Sequence, residues 1–250
     1  MRGYGCEGLH VVISGGTSGI GLAAAEKMLL DGAASVCILG RSQARGEAAV
    51  KFLLEKTGKE ALYLPCDVSR QEDCVKAFKQ LGVQQDILIA SAGIYVEERL
   101  EQISEQSFEL MDTNVKGTVY LLQAGLPYLK EGGSIVTVAS DAGVSGNYGC
   151  PLYCASKGAV VALTRALALD LAPSIRVNCV CPADVDTPLL QKQLEQCGGS
   201  YGIEDMSSVY PLQRIAQAEE IAHVICSVAS PLNSFMTGSI ITVDGGLTAK

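Results

Sequence analysis

Short apolar runs alternate with longer amphipathic stretches along nearly the whole chain. The runs HVVIS (10–14), SVCIL (35–39), ALYLP (61–65), DILIA (86–90), SIVTVA (134–139), IRVNCV (175–180) and SIITV (239–243) predict seven strands. Helix-length patterns lie between them at 20–31, 43–57, 70–81, 104–130, 153–172 and 217–230. The strand runs are apolar throughout rather than alternating, as expected when both faces of a parallel sheet are covered. The pattern therefore predicts an α/β, doubly wound parallel sheet with helices on both faces.

One stretch breaks the rhythm. Residues 183–216 carry CGGSYG, Pro188, Pro211 and mixed polarity. Ligands of open α/β sheets bind beyond the carboxyl ends of the strands, so a long segment after the sixth strand is expected to be a substrate-binding lid.

At 250 residues, with 48% hydrophobic and 18% charged content, the chain suits one domain over 1–250 and not disorder. A net charge of −8 argues against a nucleic-acid partner. No apolar run of membrane-spanning or signal-peptide length is evident, so a cytoplasmic protein with no membrane partner is expected. None of the ten cysteines forms a C-x-x-C pair, and Cys37, Cys179, Cys181 and Cys226 lie in apolar stretches, which suits reduced core thiols rather than a metal site.

Candidate chemistry begins after the first strand, where SGGTSGIGLA spaces Gly15, Gly19 and Gly21 at the opening of a helix. Glycines there permit positive φ and let backbone approach a phosphate, while the helix start offers unpaired N–H groups; the pattern suits a dinucleotide. The second strand ends in VCILGRS, with Gly40 and Arg41 where a carboxylate would read the ribose 2′-hydroxyl of NAD. Space and positive charge favour NADP(H), with NAD(H) the other candidate.

Farther on, Tyr153 and Lys157 stand four residues apart at the start of a helical pattern, hence on one face. Such a pair arises by chance with a frequency of about 0.4 in a chain like this, so it means little alone. Its companions are Ser140 in VTVASDAG, at the end of the fifth strand, and Asn114 in MDTNVKG.

With these residues the chain resembles the short-chain dehydrogenase/reductase family over almost its whole length. SGGTSGIG matches the family's T-G-x-x-x-G-I-G turn with Ser14 for threonine; CDVS puts Asp67 and Val68 at the adenine contact; SAG (91–93) falls at the N-N-A-G segment. Asn114, Ser140, Tyr153 and Lys157 match the catalytic tetrad in order and spacing. The resemblance implies a Rossmann-type, single-domain fold and hydride transfer between a nicotinamide cofactor and a secondary alcohol or ketone. Tyr153 would exchange the proton, Ser140 would bond the substrate oxygen, Lys157 would bind the ribose, and Asn114 would hold a water linking Lys157 to solvent.

Cofactor contacts are expected from Gly15, Thr17, Ser18, Gly19, Ile20 and Gly21, then Arg41, Ser42, Asp67, Val68, Ala92 and Gly93. Tyr153, Lys157, Pro182, Val185 and Thr187 complete that set. The substrate side is expected at Ser140, Ile94, Val144, Tyr148 and Leu189, with Tyr201 as a further candidate. Most of these are apolar, which points to a neutral substrate such as a hydroxysteroid or cyclic alcohol, with a 3-oxoacyl thioester as the alternative. Three departures stand out: ASAG lacks both asparagines, Ala183 follows Pro182 where glycine is usual, and Ser18 replaces a basic residue that many NADP-using members carry.

Other classes fit less well. No G-x-S-x-G nucleophile elbow is present. His10 and His223 are read as structural. A noncatalytic dinucleotide sensor would be expected to lack the tyrosine or the lysine, and a sugar-nucleotide epimerase would need a larger substrate domain. The small residues Ala155, Ala159, Ala162 and Ala166 form a stripe suited to helix–helix contact, so a homotetramer or a dimer is expected.

Overall fold

A computed structural model of the chain describes residues 3–196 and 198–249. The first half runs β1 (His10–Ser14), α1 (Gly19–Leu30), β2 (Ser35–Gly40), α2 (Gln43–Thr57), β3 (Leu62–Pro65), α3 (Gln71–Leu81) and β4 (Gln85–Ala90). Then come α4 (Glu109–Met111), α5 (Gly117–Gly125), β5 (Leu129–Val138), α6 (Pro151–Leu171) and β6 (Ile175–Pro182). The remainder is β7 (Val185–Asp186), α7 (Pro188–Gln196), α8 (Ile203–Ser208), β8 (Ala216–Gln217), α9 (Ala218–Ala229) and β9 (Ile240–Val243).

Seven strands form one parallel sheet in the order β3-β2-β1-β4-β5-β6-β9, as the alternating pattern predicts. Successive strand residues point to opposite faces. Val11, Ile13, Val36, Ile38, Ile87 and Ile89 therefore pack with α1, α2 and α9, whereas Val12, Cys37, Leu39, Leu88 and Ala90 pack with α3, α5 and α6. The chain leaves β1 in one direction across the sheet and returns to β4 on its other side, which opens a crevice at the carboxyl ends of those two strands.

The helical run predicted over 104–130 forms over 106–128, but it is not uniformly α-helical. Residues Asp112–Lys116 are wound as a π-helix between α4 and α5, and the helical run ends at Gly125 and a 3₁₀ turn containing Pro127. β5 starts at Leu129, earlier than the apolar run suggested. Leu129 pairs with Gln85, and Lys130 grips Asp86 at 2.8 Å, which draws the chain into the sheet. Residues 183–216 are not a bare loop: they hold α7 and α8, and their base is clasped by the two-residue pair β7–β8.

By length and composition α6 is long and apolar enough to cross a membrane, but its Val160, Val161, Thr164 and Ala168 are buried within the fold. Ala155, Ala162 and Ala166 are exposed along its outer side, and Ala159 is half-buried. The nine described cysteines are free, and all except Cys154 are buried. His10 bonds Ser35 at 2.8 Å, and His223 bonds Lys27 and Tyr4; neither histidine lines the crevice.

Candidate active site

The crevice is a cleft of about 870 Å³ running across the carboxyl edge of the sheet. Its floor near β1 is the glycine turn. Gly15 has φ 68°, and a Cβ there would lie 2.9 Å from the Ala92 backbone; one on Gly21 would lie 2.4 Å from the Gly15 carbonyl oxygen. Only glycine allows the turn to pass this close to the β4 loop and to fold back on itself. α1 starts at Gly19 with no side chain capping it, so its first-turn N–H groups face the cleft unpaired by any cap. This arrangement fits a pyrophosphate.

Thr17, Ser18, Gly19, Ile20, Arg41, Asp67, Val68, Ala92 and Gly93 all reach the cleft wall, as do Pro182, Val185 and Thr187. Ser42 does not. Its hydroxyl accepts from Arg45 N at 3.4 Å and caps α2, a role that the cofactor expectation overlooked. Arg45, one turn into α2, is instead a second cation on the wall beside Arg41. At Gly40 a Cβ would meet Thr17 Cγ2 at 2.7 Å, so that strand end lies tight against the glycine turn.

Ser140 follows β5, and its hydroxyl donates to Asp141 Oδ1 at 2.7 Å while accepting from Ala142 N at 3.2 Å. The 3₁₀ turn Asp141–Gly143 rides directly on α6, because a Cβ on Gly143 would stand 2.6 Å from the Lys157 carbonyl carbon. That close approach brings Ser140 beside Tyr153. Pro151 at the first turn of α6 suits a helix start, and Tyr153 and Lys157 then lie one turn apart on the face toward the cleft.

Lys157 is 6% exposed and places Nζ 5.8 Å from the centroid of the Tyr153 ring. Its ammonium donates to the Val138 carbonyl at 3.2 Å and has further donors to give. Burial lowers its pKa to about 8. Burial also raises the Tyr153 phenol above the ordinary tyrosine range; the Ser140 hydroxyl opposes this, and the Asp141 carboxylate adds to it. Without a further positive charge in the cleft the phenol is thus held protonated.

Asn114 sits in the π turn, 1% exposed. Its Oδ1 accepts from Ile94 N at 2.9 Å, and its Nδ2 donates to Ile94 O at 3.0 Å and to Ser156 Oγ at 3.1 Å. It ties the β4 loop to α6. A Cβ on Gly93 would lie 3.2 Å from Lys157 Nζ and 3.3 Å from Asn114 Oδ1, so these two groups flank the same glycine.

Ile94, Tyr148, Leu189 and Tyr201 line the cleft. Val144 does not: it is 49% exposed at the end of the 3₁₀ turn Asp141–Gly143. The sequence reading missed Asp141, Asn147, Asp184, Glu97, Tyr95 and Tyr210, all on the wall. Asp141 and Asp184 each follow the end of a parallel strand, which was a usable signal; nothing in the sequence marked Glu97.

A nucleotide cradle at the switch point, joined to a half-buried tyrosine beside a buried lysine and to a strand-end serine, defines a nicotinamide-dependent oxidoreductase. The profile described as enoyl-(acyl carrier protein) reductase matches residues 15–248. The chain is 37% identical to an uncharacterized oxidoreductase of Thermotoga maritima over 249 residues, covering 97% of this chain and 98% of the other. It is 33% identical to a 3-oxoacyl-(acyl-carrier-protein) reductase of Chlamydia pneumoniae over 248 residues, 96% and 97% of the two chains. The crystal structure of L-sorbose reductase from Gluconobacter frateurii, complexed with NADPH and L-sorbose, superposes with TM-score 0.92 at 28% identity, covering 100% of each chain. The protein belongs to the short-chain dehydrogenase/reductase family.

Proposed function

We propose that the cleft transfers a hydride to or from the carbinol carbon of a secondary alcohol or ketone, with Tyr153 as general acid and base. The observation that carries this reading is the Ser140–Tyr153–Lys157 grouping at the mouth of the nucleotide cradle. A bound nicotinamide supplies the hydride acceptor or donor. The glycine turn and the start of α1 would hold its pyrophosphate, Asp67 and Val68 its adenine end, and Lys157 its ribose.

In the reducing direction the Tyr153 hydroxyl gives its proton to the ketone oxygen as that oxygen gains charge, and in the oxidising direction it takes the proton back. Ser140 would turn its single hydroxyl proton from Asp141 Oδ1 to the same oxygen and so fix its approach. Lys157 would stabilise the phenolate left behind by its charge, and the Ser140 hydroxyl opposes the upward push of burial on Tyr153. Asn114 holds Ile94 and Ser156, and through them the loop against which Lys157 lies; the water implied for it would use the second lone pair of Oδ1.

Arg41, with Arg45 beside it, supports NADP(H) over NAD(H), and the relative crystallised with NADPH agrees with that preference. Residues 183–216 would act as the lid, the alanine stripe of α6, exposed at Ala155, Ala162 and Ala166, supports a homotetramer or dimer, and a cytoplasmic site of action belongs to the same reading. A 3-oxoacyl thioester remains the second reading of the substrate, favoured by the Chlamydia relative.

The test is an absorbance assay at 340 nm with NADPH and NADH against ketones, alcohols and a 3-oxoacyl thioester. Consumption of cofactor by any of these supports the reading; tight cofactor binding with no turnover across the panel favours a sensor instead.

A further inference from the structure

The substrate end of the cleft is built from hydrogen-bond acceptors. Asp141 is 3% exposed; its Oδ1 receives the Ser140 hydroxyl at 2.7 Å and its Oδ2 the Asn147 amide at 3.4 Å. Asp184 receives the Tyr210 hydroxyl on Oδ2 at 2.6 Å. Glu97 receives the Tyr201 hydroxyl at 2.7 Å and that of Tyr95 at 3.4 Å, and the Tyr95 ring meets the Tyr153 ring edge-on at 4.8 Å. All of these groups line the same cavity as Ser140 and Tyr153.

Among the described residues, no cation forms an ion pair with any of the three carboxylates. The ion pairs among the described residues are Lys51–Glu55, Lys116–Asp112, Lys130–Asp86 and Arg214–Glu220, none of which involves them. Arg41 and Arg45 stand at the β2 end, and Lys157 belongs to the reacting pair. An ionised carboxylate offers about four acceptor positions and no donor, so each of the three keeps capacity after its protein partners are counted.

An apolar substrate would strip water from these acceptors and return nothing, at a cost that hydrophobic contact with Ile94 and Leu189 does not offset. An anionic substrate would be repelled. A single ammonium would engage one locus, whereas these acceptors come from three loops, those following β4, β5 and β6. Several neutral donors on one small molecule match them.

We propose that the substrate of the hydride transfer is a neutral polyhydroxylated compound, a sugar or sugar alcohol, whose non-reacting hydroxyls donate to Asp141, Glu97 and Asp184. The proposal rests on the oxidoreductase reading above and replaces the apolar substrate suggested by Ile94, Val144 and Leu189 alone.

The experiment compares kcat/KM at 340 nm for sorbitol, ribitol and glucose with cyclohexanol, a hydroxysteroid and a protonated amino alcohol, using wild type, Asp141→Asn and Glu97→Gln. Glu97 is exposed, so its variant keeps the packing intact even if the buried Asp141 variant folds poorly. The expected result is a preference for polyols over cyclohexanol of about 100-fold or more, falling about 10-fold in Glu97→Gln through KM. Preference for the steroid, cyclohexanol or the amino alcohol overturns the proposal while leaving the oxidoreductase reading in place. So does an equal effect of Glu97→Gln on polyol and cyclohexanol. Binding of NADPH with no turnover of any compound overturns both.

Discussion

Lys157 Nζ lies 5.8 Å from the centroid of the Tyr153 ring, inside the fold, with the Val138 carbonyl as its protein hydrogen-bond partner. Burial holds this lysine at a pKa of about 8, against about 10.4 in an unfolded chain. Below pH 8 it is charged in both states and folding bears the cost of burying it. Between 8 and about 10.4 the unfolded chain keeps a proton that the folded one has released, so the lysine's contribution to stability rises with pH; above that window the cost is gone.

Replacing this lysine in the cofactor-free protein should therefore be stabilising at neutral pH. Lys157→Met is expected to gain on the order of 3 kcal/mol at pH 7, with the gain shrinking to nothing as pH rises through 8 to about 10.4. Urea unfolding of both proteins from pH 6 to 11 checks this. A difference that does not change with pH would mean that Lys157 is not held charged at a cost.

Gly93 separates Lys157 from Asn114, with a Cβ position 3.2 Å from one and 3.3 Å from the other. Gly93→Ala should push both by a few tenths of an ångström and weaken NADPH binding about 10-fold, with turnover falling as well. Fluorescence titration and a thermal melt separate this from loss of fold: the melting temperature is expected to change little.

Arg41 and Arg45 are the cations on the β2 side of the cleft. The double variant Arg41→Ala/Arg45→Ala should cost NADPH about 10- to 100-fold in affinity and NADH much less, since charge-assisted bonds to a 2′-phosphate are lost only from the former. Parallel titrations read the ratio directly. Equal losses for both cofactors would remove these arginines from the selection.

Much of this was legible in advance, and the failures have physical causes. All seven strands of the main sheet follow from apolar runs, because a sheet covered on both faces leaves little else for such runs to be. The π turn around Asn114 did not follow: the apolar pattern of 104–130 keeps helical spacing, while the change of winding and the Asn114 bonds to Ile94 and Ser156 are tertiary. Ser42 lies off the cleft wall because a strand-end serine can cap the next helix as readily as face a ligand, and the exposure of Val144 has no counterpart in the local sequence pattern. Glu97 becomes visible only when Tyr201, more than a hundred residues later in the chain, donates to it.

Outside the cleft, Glu220 is held at a pKa of about 2 by the fork of Arg214, whose two nitrogens each reach it at 2.7 Å, and it also accepts from Gln217 N at the start of α9. A depressed carboxyl contributes stability above its ordinary value near 4.3 that is lost as pH falls toward 2. The pair is exposed, so Glu220→Ala should cost only about 1 kcal/mol at pH 7. That cost should shrink progressively as pH falls from about 5 through 2, as denaturant melts at pH 7, 4 and 2 would show.

The most direct measurement is the rate of cofactor oxidation or reduction at 340 nm by wild type and Tyr153→Phe on the best substrate of the panel, with NADPH affinity determined on the same samples. Loss of turnover by about 10²- to 10⁴-fold with affinity nearly intact is the expected result, since only the proton-transferring oxygen is removed. Turnover retained in Tyr153→Phe would contradict the assignment of Tyr153 as the general acid and base.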